Sequence, residues 1–233
     1  MQAIRVRLVD AGLSPRLLGE NRRGHLRTLT RLGLPALCSS STQDWRPLEC
    51  AICVAIDPAG KVVGGVRLQR HLPERPMPCA EALRSIEGFD QLLANDIANG
   101  GCGECCGLWV EPAYAGYALG DILMVAALSQ TRRWTGSILW GISPLRMVPR
   151  YLDLGYQTCA ELGDQGAFWY APVSDDAWVL RVPTSELESS AGPTAALRKQ
   201  LRETGRGRGT TVGPRGVLDI HYDLDIPELA CAL

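Results

Sequence analysis

Residues 103–124, GECCGLWVEPAYAGYALGDILM, decide how the rest of this 233-residue chain is read. The run from Glu104 to Val110 has the apolar character of a buried strand, and Glu111-Pro112 stops it. Beyond the stop, Gly116, Ala118 and Gly120 make a small-residue turn that opens a helix. Small residues there leave backbone N–H groups uncovered, and these groups, with the positive end of the helix dipole, favour a bound anion. The helix expected over residues 116–134 carries Leu119, Ile122, Leu123 and Ala126 at the spacing of one apolar face, with Arg132 and Arg133 in its last turn. Small residues at a helix start also serve packing, so the turn reads either as a phosphate cradle or as a close helix–strand contact.

Working outward, residues 137–142 (SILWGI) form a short buried strand. Residues 104–142 are then a strand–helix–strand unit with parallel strands and a right-handed crossover. Upstream, residues 50–56 and 61–68 flank Asp57-Pro58-Ala59-Gly60 and predict an antiparallel hairpin, with Gly64-Gly65 marking a bulge or a close backbone approach. Ile4, Val6 and Leu8 alternate with Arg5 and Arg7, which predicts a first strand. Leucines keep helical spacing over residues 14–32, while Gly19, Gly24 and Gly33 favour two short helices there over one long one. Residues 71–99 contain Pro73, Pro76 and Pro78 and predict helices at 80–84 and 90–97; so long an excursion between strands reads as the cover of a substrate site. Downstream, a short helix at 144–154, kinked or interrupted by Pro149, and strands at 156–162, 167–173 and 178–182 close a domain over residues 1–184. Ser, Gly, Thr and Pro dominate the remaining extension, 185–233: a helix at 195–203, a mobile linker at 205–216 (GRGRGTTVGPRG), and an alternating run at 217–224. That run adds an edge strand or docks on a partner, a second copy of the chain in a homodimer included.

Lys and Arg number 24 against 25 Asp and Glu, so no bulk field recruits nucleic acid or an anionic membrane. No apolar run reaches the roughly 18 residues of a membrane span, and the first residues lack a signal-peptide core. The expected compartment is the cytoplasm. Nine cysteines, an odd number that includes the adjacent Cys105 and Cys106, fit reduced thiols rather than a disulfide framework. Cys50-x-x-Cys53 and Cys102-x-x-Cys105 have zinc-ligand spacing, but strand residues three apart point to opposite faces, so no metal is expected.

The element order β–α–α–β–β–β–α–β–α–β–β with this central unit resembles the GCN5-related N-acetyltransferase superfamily over roughly residues 3–182. Its most specific part is 104–124 followed by Tyr151-Leu152-Asp153-Leu154-Gly155-Tyr156, which is similar to the family's Y-x-x-x-G-F/Y ending to the second cofactor helix. The resemblance implies an α+β fold: a mixed, mostly antiparallel central sheet with splayed parallel strands and helices on both faces. It also implies an N-acyltransferase that takes its acyl group from acetyl-CoA or another acyl-CoA and gives it to a small-molecule amine. Backbone at Leu108, Trp109 and Val110 would hold pantetheine, and Ala115, Gly116, Tyr117, Ala118, Leu119 and Gly120 would hold the pyrophosphate. The family's R/Q-x-x-G-x-G/A motif falls on 115–120 with Ala115 in place of the leading side chain and Ala118 in place of the middle Gly. The missing side chain removes a charge-assisted contact worth about 1.5–3 kcal/mol, for which Arg146 or Arg150 are candidate substitutes. A second resemblance, through Val63-Gly64-Gly65-Val66-Arg67-Leu68, the covering segment and Glu104, is to the acyl-homoserine-lactone synthases and N-acyl amino acid synthases. These share the fold and use longer acyl donors, which implies a long-chain acyl-CoA or an acyl carrier protein as donor. Their usual E-x-x-R-F is Glu104-Cys105-Cys106-Gly107-Leu108 here, without the arginine.

Amide-forming acyl transfer needs a neutral amine, a polarised thioester carbonyl and an acid for the departing thiolate. Glu104 is either the base, desolvated near the start of a buried strand, or a strand-end glutamate facing solvent. Tyr151 is either the acid or a half-buried tyrosine that packs the short helix on the sheet. The Val110 N–H is the candidate oxyanion donor. Arg67 is either an anchor for the carboxylate of an amino-acid acceptor or an ordinary hairpin arginine. Cys105 or Cys106 as nucleophile would need a base, and no motif places His25, His71 or His221 beside them; as buried small hydrophobes the thiols need none. Turn acids between 151 and 180 would draw a cationic amine, and Arg198, Lys199, Arg202, Arg206, Arg208 and Arg215 would suit an acidic carrier protein. The same fold without turnover, as a binding or scaffold module, is the reading from another class.

Overall fold

The computed structural model describes residues 2–34, 50–189 and 194–224. β4 (Cys102–Val110) and β5 (Ile138–Pro144) run parallel and are joined by α4 (Leu119–Leu128) and α5 (Thr131–Thr135), the crossover unit that the apolar periodicity predicts. The predicted single helix over 116–134 is interrupted. Gly116 (φ +81°) and Ala118 (φ 55°) are left-handed, so the helix starts only at Leu119, and Gln130 breaks it before α5.

β2 (Cys50–Ile56) and β3 (Val62–Arg70) form the predicted hairpin, and β1 (Gln2–Asp10) pairs antiparallel with β2. The sheet continues on the other side of β5 with β8 (Asp175–Pro183), which also pairs β7 (Ala167–Tyr170) and β6 (Gln157–Thr158). The strand expected over 156–162 is thus only two residues long. With β9 (Arg206–Gly213) and β10 (Gly216–Asp223), the sheet among the described residues has ten strands in the order β6-β8-β5-β4-β3-β2-β1-β10-β9, with β7 off the path against β8. β1–β10 and β4–β5 are its parallel pairs, and the other pairings are antiparallel.

Helices cover both faces. On one, α4 and α8 (Ala195–Thr204) bury Leu119, Leu123 and Leu201 against Val6, Cys53 and Leu68; α7 (Thr184–Ser189) adds Leu187. On the other, α1 (Pro15–Arg31) sits over Ile52, Val54 and Trp109, while α2 (Pro78–Leu83) and α3 (Phe89–Ala98) sit over Cys102, Trp140 and Val179. Cys50 and Cys53 fall in different clusters, as strand alternation requires.

Other expectations are refined or corrected. α1 is one helix, not two, because Gly24 faces the buried indole of Trp109 and leaves room for it, which outweighs the propensity penalty of a mid-helix glycine. The helix expected over 144–154 is interrupted, since a 3-10 turn at Leu145–Met147 precedes α6 (Val148–Asp153), and Pro149 occupies the first turn of α6, where its missing N–H is harmless. Residues 205–216 are no linker: β9 (Arg206–Gly213) hydrogen-bonds along its whole length to β10 (Gly216–Asp223), which in turn lies parallel to β1. Gly207 and Gly209 face the ring of Tyr222, so in this strand they are packing sites rather than sources of freedom. β10, the alternating run, lies inside the sheet, and β9 forms the edge.

Candidate active site

β4 and β5 pair only at Cys102↔Ile138, Gly103↔Leu139 and Glu104↔Trp140. Past Glu104, β4 stays with β3 through Arg67↔Cys106, Gly65↔Trp109 and Gly64↔Val110, while β5 stays with β8 as far as Pro144↔Ala177. The two parallel strands therefore part, and a cavity of about 500 Å³ opens in the cleft. β4 carries one residue more than β3 between Cys106 and Trp109, and Gly107 absorbs the bulge at φ +68°. Such a bulge bends the strand, and beyond Glu104 the β5 side of β4 pairs with no strand among the described residues.

Glu104 and Arg67 are both buried and both line this cavity. Glu104 Oε2 accepts the Cys79 N–H at 2.7 Å, in the first turn of α2, so the covering segment is tied to β4 through this carboxylate. Burial pushes the Glu104 carboxyl above its usual range, and the Cys79 hydrogen bond and the Arg67 charge only partly oppose this. Arg67 donates from Nε and Nη2 to Cys106 Sγ at 3.2 Å each. It is not the exposed hairpin arginine that a β3 residue near a turn suggests, since β3 is covered on both faces. Burial raises Cys106 to about 12 in spite of that guanidinium, so its thiol stays protonated at neutral pH and is no nucleophile.

Tyr151, packed edge-on against Tyr156, lines the same cavity; burial raises its hydroxyl to about 12 and keeps it a proton donor. His25 of α1, which no motif placed, sits over Gly107 and lines the cavity as well. Burial, then the charge of Arg67, lowers His25 to about 4 and leaves the imidazole neutral. Leu29, Leu32, Leu34, Leu108 and Ile142 give the cavity an apolar lining, to which Pro78 of the covering segment adds. Of the turn acids only Asp175 reaches the lining.

Among the predicted site residues, Glu104, Tyr151, Arg67, Leu108 and Arg146 meet at this cavity. Trp109 does not contribute its side chain: its indole lies under α1 and donates to Asn21 Oδ1 at 2.7 Å. Val110 continues β4 beyond the bulge. Ala115, Gly116, Tyr117, Ala118, Leu119 and Gly120 form a separate loop at the start of α4, outside the cavity lining. Among the described residues, the amides from Gly116 to Gly120 donate to no protein acceptor. Successive uncovered amides around left-handed positions form a concave anion nest. Arg150, ion-paired with Asp121, comes within 3.5 Å of where a Cβ on Gly120 would lie, and so flanks the loop; Arg146 serves the cavity instead. Among the described residues no group of three or more His, Cys, Asp or Glu is arranged to hold a metal, and no helix is long and apolar enough to cross a membrane. All seven described cysteines are free thiols.

No protein-family model matches the sequence, and no curated protein matches it. Solved structures match its fold. FeeM, an N-acyl amino acid synthase from uncultured soil microbes, aligns with a TM-score of 0.60 at 13% identity over 84% of this chain and 99% of that one. BjaI, a CoA-dependent acyl-homoserine lactone synthase solved with SAM and isopentyl-CoA, aligns with a TM-score of 0.52 at 15% identity, covering 86% of this chain and 90% of that one. A candidate N-acetyltransferase from Lactobacillus plantarum aligns with a TM-score of 0.50 at 12% identity over 78% of this chain and 99% of that one. The chain thus shares the fold of these proteins, a mixed sheet with parted parallel strands and helices on both faces.

Proposed function

We propose that the chain is an N-acyltransferase that moves an acyl group from a CoA thioester directly to the amine of a small acceptor bearing a carboxylate. The observation that carries this reading is the convergence of buried Glu104 and Arg67 on one cavity, at the point where β4 and β5 part. In the step itself Glu104 takes the amine proton as the nitrogen attacks the thioester carbonyl. The C–N bond forms, the C–S bond breaks, and the Tyr151 hydroxyl protonates the departing thiolate. Arg67 holds the acceptor's carboxylate through charge-assisted hydrogen bonds. Pantetheine lies along the unpartnered side of β4 at Leu108 to Val110, and the pyrophosphate in the nest from Gly116 to Gly120, flanked by Arg150. Seven free thiols and a CoA donor fit a reducing cytoplasm.

A second reading concerns the donor. The apolar wall of Leu29, Leu32 and Leu34 favours an acyl group longer than acetyl, as in the synthases whose fold this chain shares, presented on CoA or on an acyl carrier protein. The test is a matrix of acyl-CoA esters from acetyl to dodecanoyl against amino acids and simple amines, with N-acyl product followed by mass spectrometry. Product that requires Glu104 supports the reading, and its chain-length optimum separates the two donors. Absence of product across the matrix, with acyl carrier protein donors included, leaves a scaffold module as the function.

A further inference from the structure

The loop proposed for the donor's pyrophosphate lacks the arginine that its motif calls for, yet its carbonyls are held in a definite direction by a distant part of the chain. Ala115 O accepts Arg215 Nη1 at 3.4 Å, Gly116 O accepts the Arg215 backbone N–H at 3.0 Å, and Tyr117 O accepts Thr211 Oγ1 at 3.0 Å. Arg215 Nη1 also reaches Pro112 O at 3.1 Å, and its guanidinium lies 5.8 Å from the centroid of the Tyr117 ring. All of these donors belong to the β9–β10 hairpin. In a trans peptide the carbonyl of one residue and the N–H of the next point in opposite directions. With the carbonyls of 115, 116 and 117 turned to the hairpin, the amides of 116, 117 and 118 are turned away from it, together and with no protein acceptor among the described residues.

We propose that the β9–β10 hairpin is a brace for the donor loop, and that Arg215 is a positioning residue which replaces the missing motif arginine from behind. It rests on the donor reading above. Three hydrogen bonds from one side fix the peptide planes, so the loop does not have to order itself when the anion arrives. The positive charge of Arg215 lies against the carbonyl ends of those peptides, where it reinforces the field that their N–H ends present to a phosphate. Close packing supports the same assignment: a Cβ on Gly116 would meet the Arg215 side chain at 2.9 Å, and one on Gly213 would meet Gly116 O at 2.2 Å. Hairpin and loop are fitted to each other, which a solvated extension would not need.

The test compares wild type, Arg215→Ala, Arg215→Lys and Thr211→Val in three measurements: affinity for CoA, affinity for inorganic pyrophosphate, and turnover with acyl-pantetheine, which has no phosphate. Arg215→Ala should weaken CoA and pyrophosphate binding about tenfold, Arg215→Lys and Thr211→Val less, with acyl-pantetheine turnover and melting temperature near wild type. Equal losses with CoA and pantetheine donors, or no loss with either, would overturn the proposal, since a purely structural contact does not discriminate donors by their phosphates. Wild-type protein that binds pyrophosphate in an Arg215-dependent manner but never CoA keeps the brace and refutes the donor reading. Wild-type protein that turns over acyl-pantetheine yet binds neither CoA nor pyrophosphate refutes the brace and keeps the chemistry.

Discussion

Gly24→Ala sets two effects of opposite sign against each other. On helix propensity alone the change stabilises α1 by about 1 kcal/mol. Packing opposes it, because a Cβ on Gly24 would lie 2.0, 2.2 and 2.5 Å from three carbons of the Trp109 six-membered ring. Ordinary contact begins at 3.4 Å, so α1 or the indole must retreat by about 1.4 Å, the difference between 3.4 and 2.0 Å. The indole has nowhere to go: Trp109 is 2% exposed, and its Nε1 donates to Asn21 Oδ1 one helical turn away. Asn21 is itself held close to β3, where a Cβ on Gly65 would meet its Oδ1 at 2.1 Å. Overpacking of this kind costs about 1–3 kcal/mol, and loss of the Asn21 bond leaves a buried donor unsatisfied at about 1–3 kcal/mol more. The net expectation is a destabilisation of about 1–5 kcal/mol, and its central value of about 3 kcal/mol corresponds to a fall of about 6–12 °C in melting temperature for a chain of this size. Scanning calorimetry with a urea midpoint measures it. Because α1 carries His25 and Leu29 into the cavity, the same variant should also lose turnover. A melting temperature equal to or above wild type would refute the claim that glycine is there for the indole.

Arg67→Met should raise KM for a carboxylated acceptor about 10- to 100-fold and leave a simple amine unaffected, which steady-state kinetics with paired acceptors will show. Asp96 of α3 accepts Trp140 Nε1 at 2.8 Å and Arg181 Nε at 3.0 Å, and so fastens the covering segment to β5 and β8. Asp96→Ala should cost about 3 kcal/mol in urea denaturation by stranding a partly buried guanidinium. His25, held near 4 in the folded chain against 6.5 in the unfolded one, contributes stability that is full above pH 6.5 and is lost as pH falls towards 4. His25→Gln should therefore flatten the stability profile across that window, as thermal melts at stepped pH will reveal.

The central unit was legible because Leu119, Ile122, Leu123 and Ala126 repeat at helical spacing between two apolar runs, a local signal that tertiary context did not override. Glu104 and Tyr151 were reached through family resemblance, and they do face one cavity. Arg67 was ambiguous, because one arginine in an apolar strand does not say whether both faces of that strand are covered. His25 gives no signal, and Arg215 reads only as part of a basic run, since their contacts at Gly107 and Gly116 lie far away in sequence. Composition misread β9 for the same reason: glycines at 207 and 209 look flexible until Tyr222 is seen beside them.

The measurement that bears most directly on the account is the single-turnover rate of wild type and Glu104→Gln, with acyl-CoA and a carboxylated amine, across pH. Glutamine keeps an oxygen for the Cys79 N–H but cannot take the amine proton, so the rate should fall about 10²- to 10³-fold while CoA affinity stays near wild type. A carboxyl held above its usual range is protonated, and idle as a base, until pH exceeds that raised value. The wild-type rate should accordingly climb with pH to a plateau along a limb that Glu104→Gln lacks. Equal rates for the two proteins, or the same limb in both, would contradict the assignment of Glu104 as the base.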